Sequence, residues 1–331
     1  MPFSDDLRRY GPDASYSLTL AEARLYCARL TAGHYENFSV VTWLTPRRLR
    51  PAFQSIYAFC RWSDDLGDEV GDRQRSCELL AWWRDELRKM YQGQTHHPVM
   101  QTLRETVEEF SIPIEPFEAL ISAFEQDQVV TDYTTYDQLL DYCTRSANPV
   151  GHLVLYLARS FDADNARLSD MTCTGLQLAN FWQDVARDLA IGRVYLPRED
   201  RVRFGYSDAD LHALRFTPEF AALLKFQVDR ARALLLEGQW LVPRMPRDIA
   251  VDVDLFSRGG LAILDRIEAQ RFDVLSSRPR LSKLAKLGLL ARALVRLPGF
   301  AGGRGAPRQD RKTIETCAPV GVNRPGGDER R

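Results

Sequence analysis

Apolar residues recur at three- and four-residue steps along nearly the whole chain, and this periodicity constrains the fold more than any other feature. It runs through residues 20–30, 49–60, 79–90, 117–124, 139–142, 153–158, 176–185 and 220–241. That spacing places apolar side chains on one face of an α-helix. Alternating apolar and polar runs bounded by turn residues, the mark of strands, are scarce. Prolines fall around the helical runs: Pro46 and Pro51 before one, Pro113 and Pro116 before another, then Pro149, Pro197, Pro243 and Pro246. A proline has no amide hydrogen to give to a helix, so these placements punctuate helices. No self-similarity at a fixed period of 30–50 residues is visible, which excludes a solenoid. The expectation is one all-α domain.

The 331 residues are enough for that domain to bury a sizeable core. Its expected extent is residues 15–300, after a polar N-terminal segment, 1–14. The final stretch, 301–331, has nine Gly or Pro among 31 residues and no apolar period. Such a Gly/Pro/Arg-rich tail buries too little apolar surface to offset chain entropy, and is expected to be disordered. Just before it, LSKLAKLGLLARALVRLPGF sets Lys283, Lys286, Arg292 and Arg296 among leucines. Two readings stand for this segment: a basic last helix packed on the domain, or an interfacial helix docked on a membrane.

Composition excludes several function classes. With 44 Lys and Arg against 45 Asp and Glu, the formal net charge is −1, without the basic excess of a general nucleic-acid binder. The N-terminus MPFSDDLRRYGPDASYS lacks the apolar core of a secretory signal, and no run of about 18 apolar residues reads as a membrane span. The six cysteines are scattered, with no C-x-x-C pair, and none of the five histidines stands at zinc-ligand spacing from another. The expected location is the cytoplasm, with contact at the inner membrane face if the basic segment docks there.

Two acidic clusters lie inside strongly helical segments. The first, YAFCRWSDDLGDEV, carries Asp64, Asp65 and Asp68 after Arg61. Asp64 and Asp68 are four apart, so they project from one helix face and repel each other by a few tenths of a kcal/mol, roughly, unless compensated. The second, LQLANFWQDVARDLAIGRVYLP, repeats the spacing in Asp184 and Asp188, and Asn180 and Gln177 extend the same stripe backward. Either cluster alone reads equally well as a solvated face. Two together, each flanked by aromatic and apolar residues, favour oxygen ligation of Mg²⁺, which takes one or two carboxylates together with substrate phosphates. Carboxylates holding Mg²⁺ attract a diphosphate and draw charge from it as it leaves, which suits ionisation of an allylic diphosphate in a dry cavity. Arg61, Arg187 and Arg193 would supply further positive charge.

YAFCRWSDDLGDE and LQLANFWQDVARDLAIGRVYLP resemble the two aspartate-rich motifs of the squalene and phytoene synthase family, and the resemblance runs from about residue 34 to about residue 280. It implies a single isoprenoid-synthase-type helical domain with a central cavity, a prenyl diphosphate lipid substrate and Mg²⁺. It assigns Asp64, Asp68, Asp184 and Asp188 as catalytic metal ligands. Asp65, Gln177, Asn180, Arg61, Arg187 and Tyr142 become substrate-binding residues. HYENFSV, with Phe38, and YCTRSANPVG, with Asn148, depart from the common pattern and resemble the bacterial hopanoid branch that makes hydroxysqualene from presqualene diphosphate and water. Tyr35, Glu36, Asn37 and Asn148 are then candidates for holding that water, although Asn148-Pro149 reads equally as a helix break. Presqualene diphosphate, squalene or phytoene synthase is the alternative reading, and a non-catalytic assembly protein is a remote one. The hopanoid reading also implies a partner synthase or an amine-oxidase-type reductase of the same pathway. The chain has neither the Glu-x-x-His motif of di-iron bundles nor a phosphate-binding Gly-x-x-x-x-Gly-Lys loop.

Overall fold

The computed structural model describes residues 3–33, 46–282 and 288–289. Tyr35, Glu36, Asn37, Phe38, most of the basic segment 281–300 and the tail 301–331 therefore lie outside the described residues. Within them the chain is all-α, and the one β-type pairing is an isolated bridge between Asp132 and Val194.

Helices begin where local chemistry favours it. In α1 (Phe3–Tyr10) and α2 (Leu20–Gly33) acidic residues occupy the first turn, where the helix dipole favours them. Proline stands in the first turn of α3 (Arg50–Asp68), as it does in α5 (Pro98–Phe110) and α6 (Glu115–Asp127). Between α3 and α5, α4 (Arg73–Tyr91) starts on the carboxylate of Asp72, which accepts from the Arg75 amide. A capping box between Thr135 and Gln138 opens α7 (Tyr136–Ser146). The chain then breaks at Ala147, and α8 (Asn148–Leu157) starts with Pro149 in its first turn. Asp162 caps the long α9 (Ala163–Ala190). Two short helices follow, α10 (Arg198–Arg203) and α11 (Asp208–His212). The last long pair is α12 (Pro218–Gly238), capped by Thr217, and α13 (Arg247–Ala269), joined by a 3₁₀ turn, Gln239–Arg244.

These helices bury two apolar clusters. The first gathers α2 to α6 and α8 around Phe59, Trp62, Trp83 and Phe117. The segment 1–14 joins it: the Phe3 ring meets Trp62 edge-on at 5.2 Å, and Tyr10 is buried against Tyr26 at 4.9 Å. His97, enclosed by Trp62, Trp82 and Trp83, accepts from the Val99 amide at the start of α5, and burial pushes its pKa down to about 3. It is a neutral structural cap.

The second cluster packs α7, α9, α12 and α13 around Trp182, Phe220 and Leu235. Close approach of α9 to α12 depends on glycine. A Cβ on Gly175 would lie 2.8 Å from Leu235 Cγ, and one on Gly238 would lie 2.8 Å from the backbone nitrogen of Thr172. Arg201, almost wholly buried, pairs with Asp132 and Asp208, while Asp200 accepts from Gln227 and Arg230. This network fixes the segment after α9 against the loop after α6, where the Val194 amide donates to Thr131 at 2.7 Å. Motif one rides on the first cluster and motif two on the second.

Candidate active site

Asp64, Asp65 and Asp68 occupy the last turns of α3. Arg61 reaches along the same helix: its Nη1 donates to Asp64 Oδ2 at 3.1 Å, its Nε to Asp65 Oδ2 at 3.0 Å, and its Nη2 meets Asp65 Oδ1. Burial pushes the Asp65 carboxyl up to about 6 and raises Asp64 as well, both against the opposing pull of Arg61. Asp68, nearly half exposed at the helix end, accepts from Arg193 Nη2 at 2.7 Å.

Asp184 and Asp188 lie on the last turns of α9. Arg278, far downstream, clamps Asp184: Nη2 donates to Oδ2 at 2.8 Å and Nε meets Oδ1. The neighbouring Gln183 donates to the Pro279 carbonyl, so the chain after α13 lies across this end of α9. Arg187, mostly exposed, stands 3.8 Å from Asp184. Asp188 is compensated less. Burial and the Asp184 charge push it up to about 7, and its buried Oδ2 has no hydrogen-bond partner among the described residues.

The two motifs converge on Arg193. It pairs with Asp68 and lines a small pocket with Asp188, Phe181 and Tyr195. Its charge also opposes the upward shift of Asp127, the last residue of α6, which burial pushes up to about 6. Tyr142 donates to Asp127 Oδ2 at 2.9 Å. The Tyr142 ring lies 5.6 Å from Tyr133 and 6.1 Å from Tyr195, and Tyr195 stacks on Phe181 at 3.8 Å. Gln128 donates to the Gly67 carbonyl at 3.1 Å and ties the end of α6 to motif one.

An apolar cavity of about 280 Å³ opens beside motif one. Arg61 and Asp64 stand at one end. Phe53, Ile56, Tyr57 and Cys60 of α3, Phe124 of α6, and Val150, Leu153, Val154 and Leu157 of α8 form the wall. Burial and the Asp64 charge push the Cys60 thiol up to about 12, so it is uncharged lining.

Arg61, Asp64, Asp65, Asp68, Asp184, Asp188 and Tyr142 thus surround one region. Gln177, half-buried, and Asn180, exposed, lie one to two turns before Asp184 on α9. Asn148 is turned elsewhere. It is buried, and its Oδ1 accepts from the Thr174 hydroxyl at 2.9 Å, pinning α8 to α9. Of its two sequence readings, the helix break at Ala147 is observed. Sequence reasoning missed Asp127, Tyr133, Tyr195 and Arg278. Only Tyr195 carried a local signal, its place in GRVYLP.

The sequence model of squalene/phytoene synthase matches residues 31–285, a span holding both carboxylate motifs, Tyr142 and Arg278. The chain belongs to the squalene/phytoene synthase family. The squalene synthase HpnC of Alicyclobacillus acidocaldarius superposes with a TM-score of 0.73 at 45% identity, covering 76% of this chain and 95% of that one. A dehydrosqualene synthase shares the fold, with a TM-score of 0.77 at 23% identity over 84% of this chain and 97% of that one. Among relatives by sequence, the 15-cis-phytoene synthase of Synechocystis sp. is 30% identical over 88% of this chain and 90% of its own length. The presqualene diphosphate synthase of Rhodopseudomonas palustris is 29% identical over 77% and 91%. The isoprenoid-synthase fold expected from the sequence is the one observed, and the enzymes of this family act in prenyl condensation.

Proposed function

We propose that the chain ionises a prenyl diphosphate with the help of Mg²⁺, and that it converts presqualene diphosphate and water to hydroxysqualene and diphosphate. The observation that carries this reading is an apolar cavity whose one charged end, Arg61 and Asp64, belongs to a ring of carboxylates and arginines around Arg193. From Phe53 to Asp64 is eleven residues of α3, about 16 Å of helix rise. That is near the length of an extended fifteen-carbon chain, so the cavity suits one prenyl arm.

The residues fit Mg²⁺ by their donor chemistry. All are oxygen donors in four-residue pairs, and the buried Asp188 Oδ2 lacks a hydrogen-bond partner among the described residues. No group of three His, Cys, Asp or Glu among the described residues is assembled to hold a metal unaided. This agrees with an ion that takes one or two carboxylates and completes its shell with water and phosphate oxygens. Asp64 and Asp68 on one side, and Asp184 and Asp188 on the other, would hold it. When bound, Mg²⁺ supplies positive charge to the departing diphosphate.

The chain's own groups do the rest. Arg61 and Arg193 offer guanidinium donors to phosphate oxygens. The apolar wall excludes bulk water, so these charges act in a low dielectric. The aromatic faces of Tyr133, Tyr142, Tyr195 and Phe181 suit the cation left behind.

For the alcohol product, support comes from the HYENF and SANPVG segments, which resemble the hydroxysqualene branch. The relationship to presqualene diphosphate and phytoene synthases keeps a second reading, condensation of two allylic diphosphates. The test is to give purified protein and Mg²⁺ either farnesyl diphosphate or presqualene diphosphate and identify the extracted lipid. A C30 alcohol from presqualene diphosphate alone supports the first reading; presqualene diphosphate or phytoene formed from allylic substrates supports the second. No helix of the described residues is long and apolar enough to cross a membrane. Under this proposal the lipid product would leave through contact of the basic segment 281–300 with the inner membrane face, for a reductase of the same pathway.

A further inference from the structure

Asp127 belongs to neither carboxylate motif, yet it lies among them. It ends α6, with Arg193 the opposing charge beside it and Asp64 and Asp68 the like charges. Its two oxygens differ. Oδ2 accepts the Tyr142 hydroxyl at 2.9 Å, while Oδ1 is buried with no hydrogen-bond partner among the described residues. No arginine or lysine hydrogen bond to Asp127 is formed among the described residues, whereas Asp64, Asp65, Asp68 and Asp184 each have one. A carboxylate kept half-satisfied at this depth is costly for the fold, so its contact with Tyr142 calls for an explanation.

That contact determines what Tyr142 can do. A phenol has one proton to donate and two lone pairs to accept with. Burial holds the Tyr142 hydroxyl well above its ordinary pKa, so it remains a phenol, and its proton is committed to Asp127. Its oxygen can then only accept. Tyr195 is stacked beside Tyr142, next to the pocket of Arg193 and Asp188. A water reaching Tyr142 therefore meets a phenol oxygen whose orientation originates at Asp127.

We propose that Asp127 is a positioning residue, which by taking the Tyr142 proton fixes the phenol oxygen of Tyr142 as an acceptor that holds the nucleophilic water beside the cationic carbon. This rests on the proposed water-quenching reaction and deepens it. A water with a hydrogen pointing to that oxygen presents its own lone pairs to carbon, and as the C–O bond forms the proton it loses passes to the departed diphosphate. An acceptor-only wall also repels no cation, unlike a wall of hydroxyl protons. Asp127 does not touch the substrate in this scheme and acts through Tyr142.

The test compares the full-length wild type with Asp127→Asn, Tyr142→Phe and the double variant, on presqualene diphosphate with Mg²⁺. Diphosphate release and the fraction of C30 product carrying a hydroxyl are read separately. The alcohol fraction should fall about fivefold or more in each single variant and fall no further in the double variant. The KM for diphosphate release should stay within about threefold. An unchanged alcohol fraction in Asp127→Asn, or losses that add in the double variant, overturns the proposal. If the wild type makes no alcohol, the product reading fails, and the assignment of Asp127 is read instead from protein labelled with [¹³Cζ]tyrosine. The resonance deleted by Tyr142→Phe must then shift in Asp127→Asn; a resonance that stays in place contradicts the assignment.

Discussion

On α3, Asp64 and Asp65 are held by Arg61, a guanidinium from the same helix one turn back. On α9, Asp184 is held by Arg278, 94 residues downstream, and Asp188 keeps a buried oxygen without a hydrogen-bond partner among the described residues. The first motif is thus largely neutralised within its own helix, whereas the second depends on the folded chain and remains under-compensated. Like charges at four-residue spacing repel in both. The second motif therefore gains more from an added cation, and its raised Asp188 marks where a divalent ion would relieve the greatest electrostatic cost.

The largest effect should come from neutralising either motif. Asp64→Asn and Asp184→Asn are each expected to lower turnover about 10³-fold or more, with little change in melting temperature. If both motifs hold Mg²⁺, the two losses are similar in spite of their different surroundings. Near-wild-type turnover of either variant at saturating Mg²⁺ would remove that motif from the metal site.

Arg278 tests the contrast through stability. Arg278→Ala leaves Asp184 buried and unclamped, which should cost about 2–3 kcal/mol in metal-free protein. Mg²⁺ should then raise the Tm of this variant more than that of wild type, because the freed carboxylate takes the ion. Equal Mg²⁺ shifts in the two proteins would show that Asp184 is not a ligand.

Asp252 provides a control outside both motifs. It is buried on α13 with Oδ1 unpartnered among the described residues, and burial together with Asp248 pushes it up to about 7. Because its folded pKa exceeds its unfolded value, its contribution to stability is present below about pH 4 and is lost as pH rises through about 7. Asp252→Asn should therefore stabilise the protein at pH 8, change it little at pH 4, and leave its response to Mg²⁺ unaltered. Melts across that range, with and without the ion, measure all three.

The smallest effect belongs to the Asp68–Arg193 pair. Asp68 is 44% exposed, so removing its charge should change stability by less than about 1 kcal/mol. A larger loss, insensitive to added salt, would mean that this pair, rather than α3 alone, holds the first motif in place.

Both motifs were legible in the sequence because their information is local. Helical period and four-residue spacing put Asp64 and Asp68, or Gln177, Asn180, Asp184 and Asp188, on one face wherever the helix lies. Prolines marked several helix starts for the same reason. Arg278, Asp127 and Tyr133 were not legible, since loops and helix ends bring them to the site across long separations, and nothing in EQDQV or SSRPR has a period to read. Asn148 shows the opposite failure. Its motif marked the residue, but whether its side chain faced the cavity or α9 depended on the helix break at Ala147 and on Thr174 across the packing interface. The apolar residues of α1, Phe3, Leu7 and Tyr10, pack on the first core cluster.

Capture of water after ionisation between the two motifs is tested most directly by incubating the protein with presqualene diphosphate and Mg²⁺ in H₂¹⁸O, with and without NADPH, and weighing the extracted lipid by mass spectrometry. The expected product is a C30 alcohol carrying one ¹⁸O, formed equally well without NADPH. An unlabelled alcohol, or squalene that accumulates only when NADPH is present, would contradict it.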